Sequence, residues 1–63
     1  MRKDPKETKN RILDTAESLF SDHGFGDVSL RRITQEAGVN IASVNYHFGS
    51  KDALISEVFT RVI

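Results

Sequence analysis

The feature that most constrains this chain is a pair of short helix patterns on either side of one glycine, between Ser29 and Lys51. In this stretch, SLRRITQEAGVNIASVNYHFGSK, Ser29 and Asn40 are suited to begin helices, and Gly38 allows a sharp turn between them. The second helix carries an outward set that does little for folding: Ala42, Ser43, Asn45, Tyr46 and His47, with Lys51 just beyond. Small, hydrogen-bonding and aromatic groups suit the floor of a DNA major groove, which offers donors, acceptors and thymine methyls. The pattern predicts a helix-turn-helix DNA-binding module.

Length and composition narrow the class of protein. A chain of 63 residues forms one small domain at most, and such a chain buries only about 60% of the surface that its unfolded form exposes. There is no cysteine and no cluster of metal ligands, so we expect neither disulfides nor a cofactor. No apolar run approaches the roughly 20 residues of a membrane span, and no signal-peptide pattern opens the chain. We expect a soluble, cytoplasmic protein without a membrane partner.

The charges are balanced overall but unevenly distributed. Formal net charge is +0, yet residues 1–11 hold five basic and two acidic residues, and residues 12–30 hold four acidic and no basic ones. Arg31, Arg32 and Lys51 then bracket the predicted turn region. A dipolar domain presents a basic face to phosphates while staying neutral, although a merely solvated tail explains Arg2 and Lys3 equally well. A cation near a helix start, as at Lys51, is slightly unfavourable and indicates an anionic partner.

Apolar spacing predicts two longer helices around this pair. The first begins at Asp4-Pro5-Lys6-Glu7, where Asp4 is a cap and Pro5 has its φ already set, and it ends at Gly24. Phe25 follows and is placed to fold back onto the core. The predicted inward residues of the first three helices are Ile12, Leu13, Ala16, Leu19, Phe20, Leu30, Ile33, Ala37, Val44 and Phe48, with Val39 at the turn.

The fourth helix has more apolar surface than a small core requires. Ser50 caps it, and its apolar arc comprises Leu54, Ile55, Val58, Phe59 and Val62, with Ile63 at the margin. We therefore expect this helix to continue or to pack against something else. The predicted fold class is all-α: a three-helix, homeodomain-like helix-turn-helix core over residues 1–49, and the start of a fourth, linking helix over residues 50–63.

Three segments, RILDTAESLF, HGFGDVSLRRI and EAGVNIASVNYHFGSKDAL, resemble the N-terminal DNA-binding domain of the TetR family of bacterial transcriptional regulators. The third is the most specific: an alanine-glycine-valine turn, a short helix ending in Tyr-His-Phe, and Gly-Ser-Lys before an apolar helix. The resemblance implies a homodimer whose third helices enter the major groove of a palindromic operator. It also implies a C-terminal domain, absent from this chain, that forms the dimer and binds a small-molecule effector. Most such proteins are repressors.

The resemblance also implies roles for single residues. Arg31 corresponds to a residue that in some members contacts a guanine edge, while Ser43 and Lys51 correspond to phosphate-contacting positions. Tyr46 and His47 correspond to positions that contact phosphates or nearby bases. Positions that vary among family members and often face bases are occupied here by Ile41, Ala42 and Asn45. The complete predicted DNA-binding set is Arg31, Asn40, Ile41, Ala42, Ser43, Asn45, Tyr46, His47 and Lys51.

Three residues depart from the family pattern. Asn45 occupies a position where tyrosine is common in the family. The resemblance therefore predicts a hydrogen bond to adenine in place of a stacking contact with a methyl group. Ile41 is apolar where polar or charged groups are frequent. Thr34 occupies a position that is usually alanine, which predicts slightly wider spacing between the two helices.

Structural roles compete with several of these assignments. Ile41 lies on nearly the same face as the inward residues of its helix, so burial in the core is an equally good interpretation. The Ser43 hydroxyl could bond back to its own helix, and the His47 ring could bond to backbone instead of phosphate. Arg31 and Arg32 could simply solvate a helix face.

Catalysis receives no support from the sequence. His23 and His47 lie on different helices, no serine has an acid or base spaced to activate it, and no glycine-rich phosphate loop is present. Two binding functions remain as alternatives. A protein-interaction module could dock through the apolar arc of the fourth helix, and an RNA binder would need clustered surface aromatics that this chain lacks.

Overall fold

The computed structural model describes residues 5–62, which form four helices and, within that range, no strand. The helices are α1 (Pro5–His23), α2 (Leu30–Ala37), α3 (Ile41–His47) and α4 (Lys51–Val62). The predicted all-α class and the order of the elements are confirmed, including the start of α1 at Pro5. The proposed cap Asp4 lies outside the described residues. None of the described helices is both long and apolar enough to cross a bilayer.

The core forms because α1 packs against each of the other three helices, and α2 packs against α3. Its buried apolar members are Ile12, Leu13, Ala16, Leu19, Phe20, Val28, Ile33, Ala37, Val44, Leu54 and Val58. Leu30, Val39, Phe48 and Ile55 pack against this core while remaining partly exposed. Val28 is absent from the predicted inward residues, yet its side chain is 2% exposed, so the loop before α2 contributes to the core.

Local signals fix the ends of the helices. Gly24 ends α1 in the left-handed region with φ 86°, and its N–H donates to the Phe20 carbonyl at 2.8 Å. The Ser29 hydroxyl accepts from the Arg32 N–H at 3.1 Å, and the Ser50 hydroxyl accepts from the Ala53 N–H at 3.1 Å. These serines therefore cap α2 and α4 as the sequence predicts.

The apolar arc of α4 is only partly used by the core. Leu54 and Val58 are buried, whereas the Phe59 side chain is 50% exposed. Phe59 packs against Phe25, which is 40% exposed and in turn packs against Phe20. Phe25 thus folds back as predicted without being buried. The Val62 side chain and Ile63 lie outside the described part, and the predicted domain division at residue 49 stays a prediction.

Candidate nucleic-acid interface

The turn between α2 and α3 is built by Gly38. Its φ of 71° is in the left-handed region, which only glycine adopts without strain. The Gly38 N–H donates to the Gln35 carbonyl at 3.3 Å, and the Val39 N–H donates to the Thr34 carbonyl at 3.0 Å. This pair of bonds is the Schellman arrangement, which closes a helix and redirects the chain within two residues. The chain therefore enters α3 directly after α2.

Two polar residues of the turn region are occupied by structural bonds. Asn40 precedes α3 in extended conformation, and its Oδ1 accepts from the Ala42 N–H at 3.0 Å. The amide NH₂ of Asn40 stays available because only the oxygen is used by the cap. Thr34 is buried, and its hydroxyl donates to the Arg31 carbonyl at 2.9 Å. The Thr34 hydroxyl in the core thus has a hydrogen-bond partner. The wider spacing between α2 and α3 stays a prediction.

The side chains of α3 divide into three groups by burial. Val44 is fully buried and holds the helix on the core. Ser43 and His47 are half-buried at the margins of that contact. The exposed residues are Ile41, Ala42, Asn45 and Tyr46, with exposed fractions of 45% for Ile41 and 81% for Tyr46.

This division corrects the predicted outward set. Ser43 and His47 do not project freely, because on a helix of seven residues they flank the face that Val44 buries. Ile41, for which burial in the core was an equal alternative, is exposed instead. Within the described residues, the Ser43 hydroxyl forms no hydrogen bond back to its own helix, so that alternative role is not seen.

Three consecutive rings form the C-terminal end of α3. The Tyr46 and His47 rings meet edge to face, with 5.0 Å between centroids and an interplanar angle of 80°. The His47 and Phe48 centroids are 6.2 Å apart. Phe48 packs on the core, so the row leads from the core to the exposed Tyr46. Edge-to-face contacts of this kind are favourable for aromatic pairs, although the Tyr46 ring is 81% exposed.

Ion pairs separate the cations near α3 into two kinds. Arg32 Nε lies 3.6 Å from the Glu36 carboxylate, one helical turn along α2. Arg31 and Lys51 have no acidic partner among the described residues. The structure therefore leaves two uncompensated cations at the two ends of the helix-turn-helix region. The ion pair with Glu36 also gives a structural difference between Arg32 and Arg31, of which only Arg31 belongs to the predicted DNA-binding set.

One surface of α1 is acidic. Asp14, Glu17 and Asp22 of α1 line a shallow polar groove, and the Arg61 guanidinium contacts the carboxylates of Asp14 and Glu17. An anionic polymer is repelled from such a surface. The predicted dipolar distribution of charge stays a prediction.

Lys9 is a residue near α3 that the sequence did not single out. Its Nζ lies 5.8 Å from the centre of the Phe48 ring and 3.3 Å from the Glu57 carboxylate. Lys9 thereby connects α1 with the end of α3 and with α4. Residues so distant in the chain give no local signal of contact, so no pattern in the sequence reveals this link.

No group of three or more histidine, cysteine or acidic side chains among the residues described could hold a metal ion.

The apolar arc of α4, which suggested a protein-docking module, borders a groove of about 320 Å³. The groove is lined by Glu17, Phe20, Ser21, Phe25, Val58 and Phe59. This groove is shallow and includes a charged rim.

Known proteins resemble this chain in sequence and in structure. The family model for bacterial regulatory proteins of the tetR family matches residues 12–58. HTH-type transcriptional regulators of Staphylococcus aureus strains USA300 and COL are each 38% identical over 61 residues, covering 97% of this chain and 33% of theirs. The chain thus spans about a third of the length of these relatives.

A crystal structure of a mutant HlyIIR protein superposes on this fold with a TM-score of 0.86 and 34% sequence identity. The match covers 92% of this chain and 32% of that protein. These likenesses favour a DNA-binding transcription regulator over a protein-interaction module. With its Gly38 turn and its exposed α3, the chain belongs to the tetR family of bacterial regulatory proteins and has the family's helix-turn-helix DNA-binding fold.

Proposed function

We propose that this chain recognises one half-site of a DNA operator by laying α3 in the major groove. The observation that carries the proposal is the exposed face of α3, formed by Ile41, Ala42, Asn45 and Tyr46. In the chain this face lies between two cations, Arg31 and Lys51, that have no acidic partner among the described residues. A folded domain gains no stability from exposing an isoleucine and a tyrosine beside unpaired charges. A groove with base edges at its floor and phosphates along its rims accounts for both features.

The nine predicted residues divide between two roles. Ser43, His47 and Lys51 lie at the edges of α3 or just after it, where phosphates flank the groove, and the free NH₂ of Asn40 is suited to the same contact. The exposed face of α3 lies against the bases. Arg31 reaches a guanine edge from α2, which packs against α3. Phosphate contacts set the position of the protein, and base contacts set the sequence that it selects.

The wider regulatory function is proposed from the family. The relatives' names describe HTH-type transcriptional regulators; from the resemblance to the TetR family we propose further that the chain works within a ligand-responsive repressor in the bacterial cytoplasm. Residues 1–49 would act as the DNA-binding core, and residues 50–63 as the start of a helix leading to a dimerisation and effector domain. A homodimer would place two copies of α3 on a palindromic operator about one helical turn apart. Regulation by binding requires no catalytic step.

Salt dependence of duplex binding tests this function. Fluorescence anisotropy with a labelled duplex, between 50 and 200 mM salt, should give an affinity that falls steeply, with about 0.9 in logarithmic slope per neutralised phosphate. Lys51→Gln should lower the slope by about 1 on every duplex. Arg61→Gln is the matched control, because it removes the same charge at the far end of α4, beside Asp14 and Glu17.

Two results contradict the proposal. One is the absence of duplex binding at 50 mM salt by chain that is folded according to its circular dichroism spectrum. The other is a slope that Arg61→Gln changes as much as Lys51→Gln does, because binding would then depend on total charge and not on the α3 face.

A further inference from the structure

The exposed face of α3 carries no charge. Its four exposed residues are Ile41, Ala42, Asn45 and Tyr46, and none of them is an aspartate, glutamate, histidine, lysine or arginine. Ile41 is 45% exposed and does not belong to the core cluster. Two alkyl groups, one carboxamide and one phenol therefore occupy the surface that would face the base edges.

These side chains form two adjacent rows along the helix. Residues four apart lie on one side of an α-helix, so Ile41 is aligned with Asn45, and Ala42 with Tyr46. Four residues advance about 6 Å along the axis at 1.5 Å per residue. This advance corresponds to roughly two steps of 3.4 Å between base pairs. The alkyl end and the carboxamide end of the face are thus spaced to meet bases about two steps apart.

Each base pair requires a particular side-chain chemistry in the major groove. Guanine is read by arginine or lysine at O6 and N7, and cytosine by a carboxylate at N4. The exposed face of α3 offers neither group. Adenine is read by a carboxamide at N6 and N7, and thymine by apolar contact with its methyl group. The Asn45 carboxamide has no hydrogen-bond partner among the described residues, so its donor and its acceptor are both available.

We infer that the α3 face selects A·T base pairs, with Asn45 reading an adenine and Ile41 and Ala42 contacting thymine methyl groups about two steps away. The inference rests on the proposed function and specifies the class of DNA sequence that the same surface recognises. It is confined to the base pairs opposite α3. Arg31 on α2 carries the chemistry for guanine, and so a G·C pair remains expected at the edge of the half-site.

Selection of bound duplexes from a random pool, followed by base modification, tests the inference. In the selected duplex, replacing the contacted thymine by uracil removes only the methyl group, and affinity should fall about fourfold. Replacing the contacted adenine by 7-deazaadenine removes N7, and the unaltered protein should bind this duplex more weakly than the unmodified one. Asn45→Ala, which lacks the carboxamide, should bind the two duplexes equally. The affinity losses of the unaltered protein on the two modified duplexes need no variant, and only the comparison with Asn45→Ala does.

Asn45→Arg should move the preference at one position from adenine to guanine, by roughly 5- to 150-fold. Ser56→Ala, an exposed change on α4, is the matched control and should select the same sequences as the unaltered chain. The inference is overturned if the position that responds to Asn45→Arg already prefers G·C, or if uracil and 7-deazaadenine duplexes bind like the unmodified one. Those results leave DNA binding itself intact. A folded chain that binds no duplex at low salt instead overturns the proposed function.

Discussion

The ring of Phe59 on α4 packs against the ring of Phe25 in the loop after α1, with 5.0 Å between centroids and an interplanar angle of 43°. Phe25 also packs against the buried Phe20, at 4.8 Å between centroids. The three rings attach the later turns of α4 to α1 at a site where both outer rings are still partly exposed. These aromatic contacts outside the buried core therefore add to the contacts that Leu54 and Val58 of α4 make within it.

The coupling between Phe25 and Phe59 should be measurable. Each ring replaced singly by alanine should destabilise the fold, and a double-mutant cycle should give an interaction free energy of about 0.5–1.5 kcal/mol. Urea unfolding followed by circular dichroism provides the free energies. The pair Phe25→Ala and Ser56→Ala serves as the control cycle and should be additive. Additive losses for the two phenylalanines would show that the ring contact does not stabilise the fold.

Gly38→Ala should destabilise the fold by about 1–2 kcal/mol, because an alanine at φ 71° is strained. A Cβ at this position meets nothing within 4 Å, so backbone strain is the only cost. Gly26→Ala is a matched control: its Cβ also meets nothing within 4 Å, and its φ is not positive. The control should be neutral or slightly stabilising. Equal unfolding midpoints for the two variants would contradict the role given to Gly38.

Asn40 combines a capping role with a proposed phosphate contact, and two substitutions separate the roles. Asn40→Ala removes the acceptor for the Ala42 N–H and should cost about 1 kcal/mol of stability. Asn40→Asp keeps an acceptor and should leave stability unchanged or slightly higher. The added negative charge should nevertheless weaken binding to every duplex. If Asn40→Asp binds DNA as tightly as the unaltered chain, Asn40 caps α3 but does not contact a phosphate.

Phe48 and Leu54 should differ in their contribution to stability. Leu54 is fully buried, so Leu54→Ala should cost about 2–5 kcal/mol. Phe48 is half-buried, with Lys9 over its ring, so Phe48→Ala should cost less than the roughly 3–5 kcal/mol of a buried phenylalanine. Thermal melts of the two variants make the comparison. A larger loss at Phe48 would mean that the α3 end is held more tightly than its exposure indicates.

Arg31 should act on sequence choice, whereas Lys51 should act on affinity alone. If Arg31 reads a guanine, Arg31→Ala should cost about 1–3 kcal/mol of binding only on duplexes that carry that guanine. Arg32→Ala is the matched control, because Arg32 pairs with Glu36 on the same helix. Competition titrations with the guanine-containing duplex and its substituted form supply the measurement. An equal loss on both duplexes would assign Arg31 to phosphate instead.

Helix ends, turn and fold class were predictable because their causes are local. A serine or asparagine before a helix bonds to an N–H two or three residues later, as Ser29, Asn40 and Ser50 do. Gly38 adopts its positive φ for a reason carried by the residue itself, the lack of a Cβ. The family pattern in the same segment then identified the fold. Roles of single residues in DNA binding remain predictions that the variants above test.

Burial and pairing were decided by the tertiary structure. Val28 is buried in a loop that has no periodic pattern, and Ile41 is exposed although its angular position also fitted the core. On a helix as short as α3, a side chain at the edge of the apolar face is buried only if a neighbouring helix extends over it. Likewise, Lys9 meets Phe48 and Glu57 across the fold, a pairing that no local pattern indicates. The sequence determined where each helix begins and ends, since those interactions span a few residues. Packing among α1, α3 and α4 determined which side chains face solvent, because that depends on contacts between residues far apart in the chain.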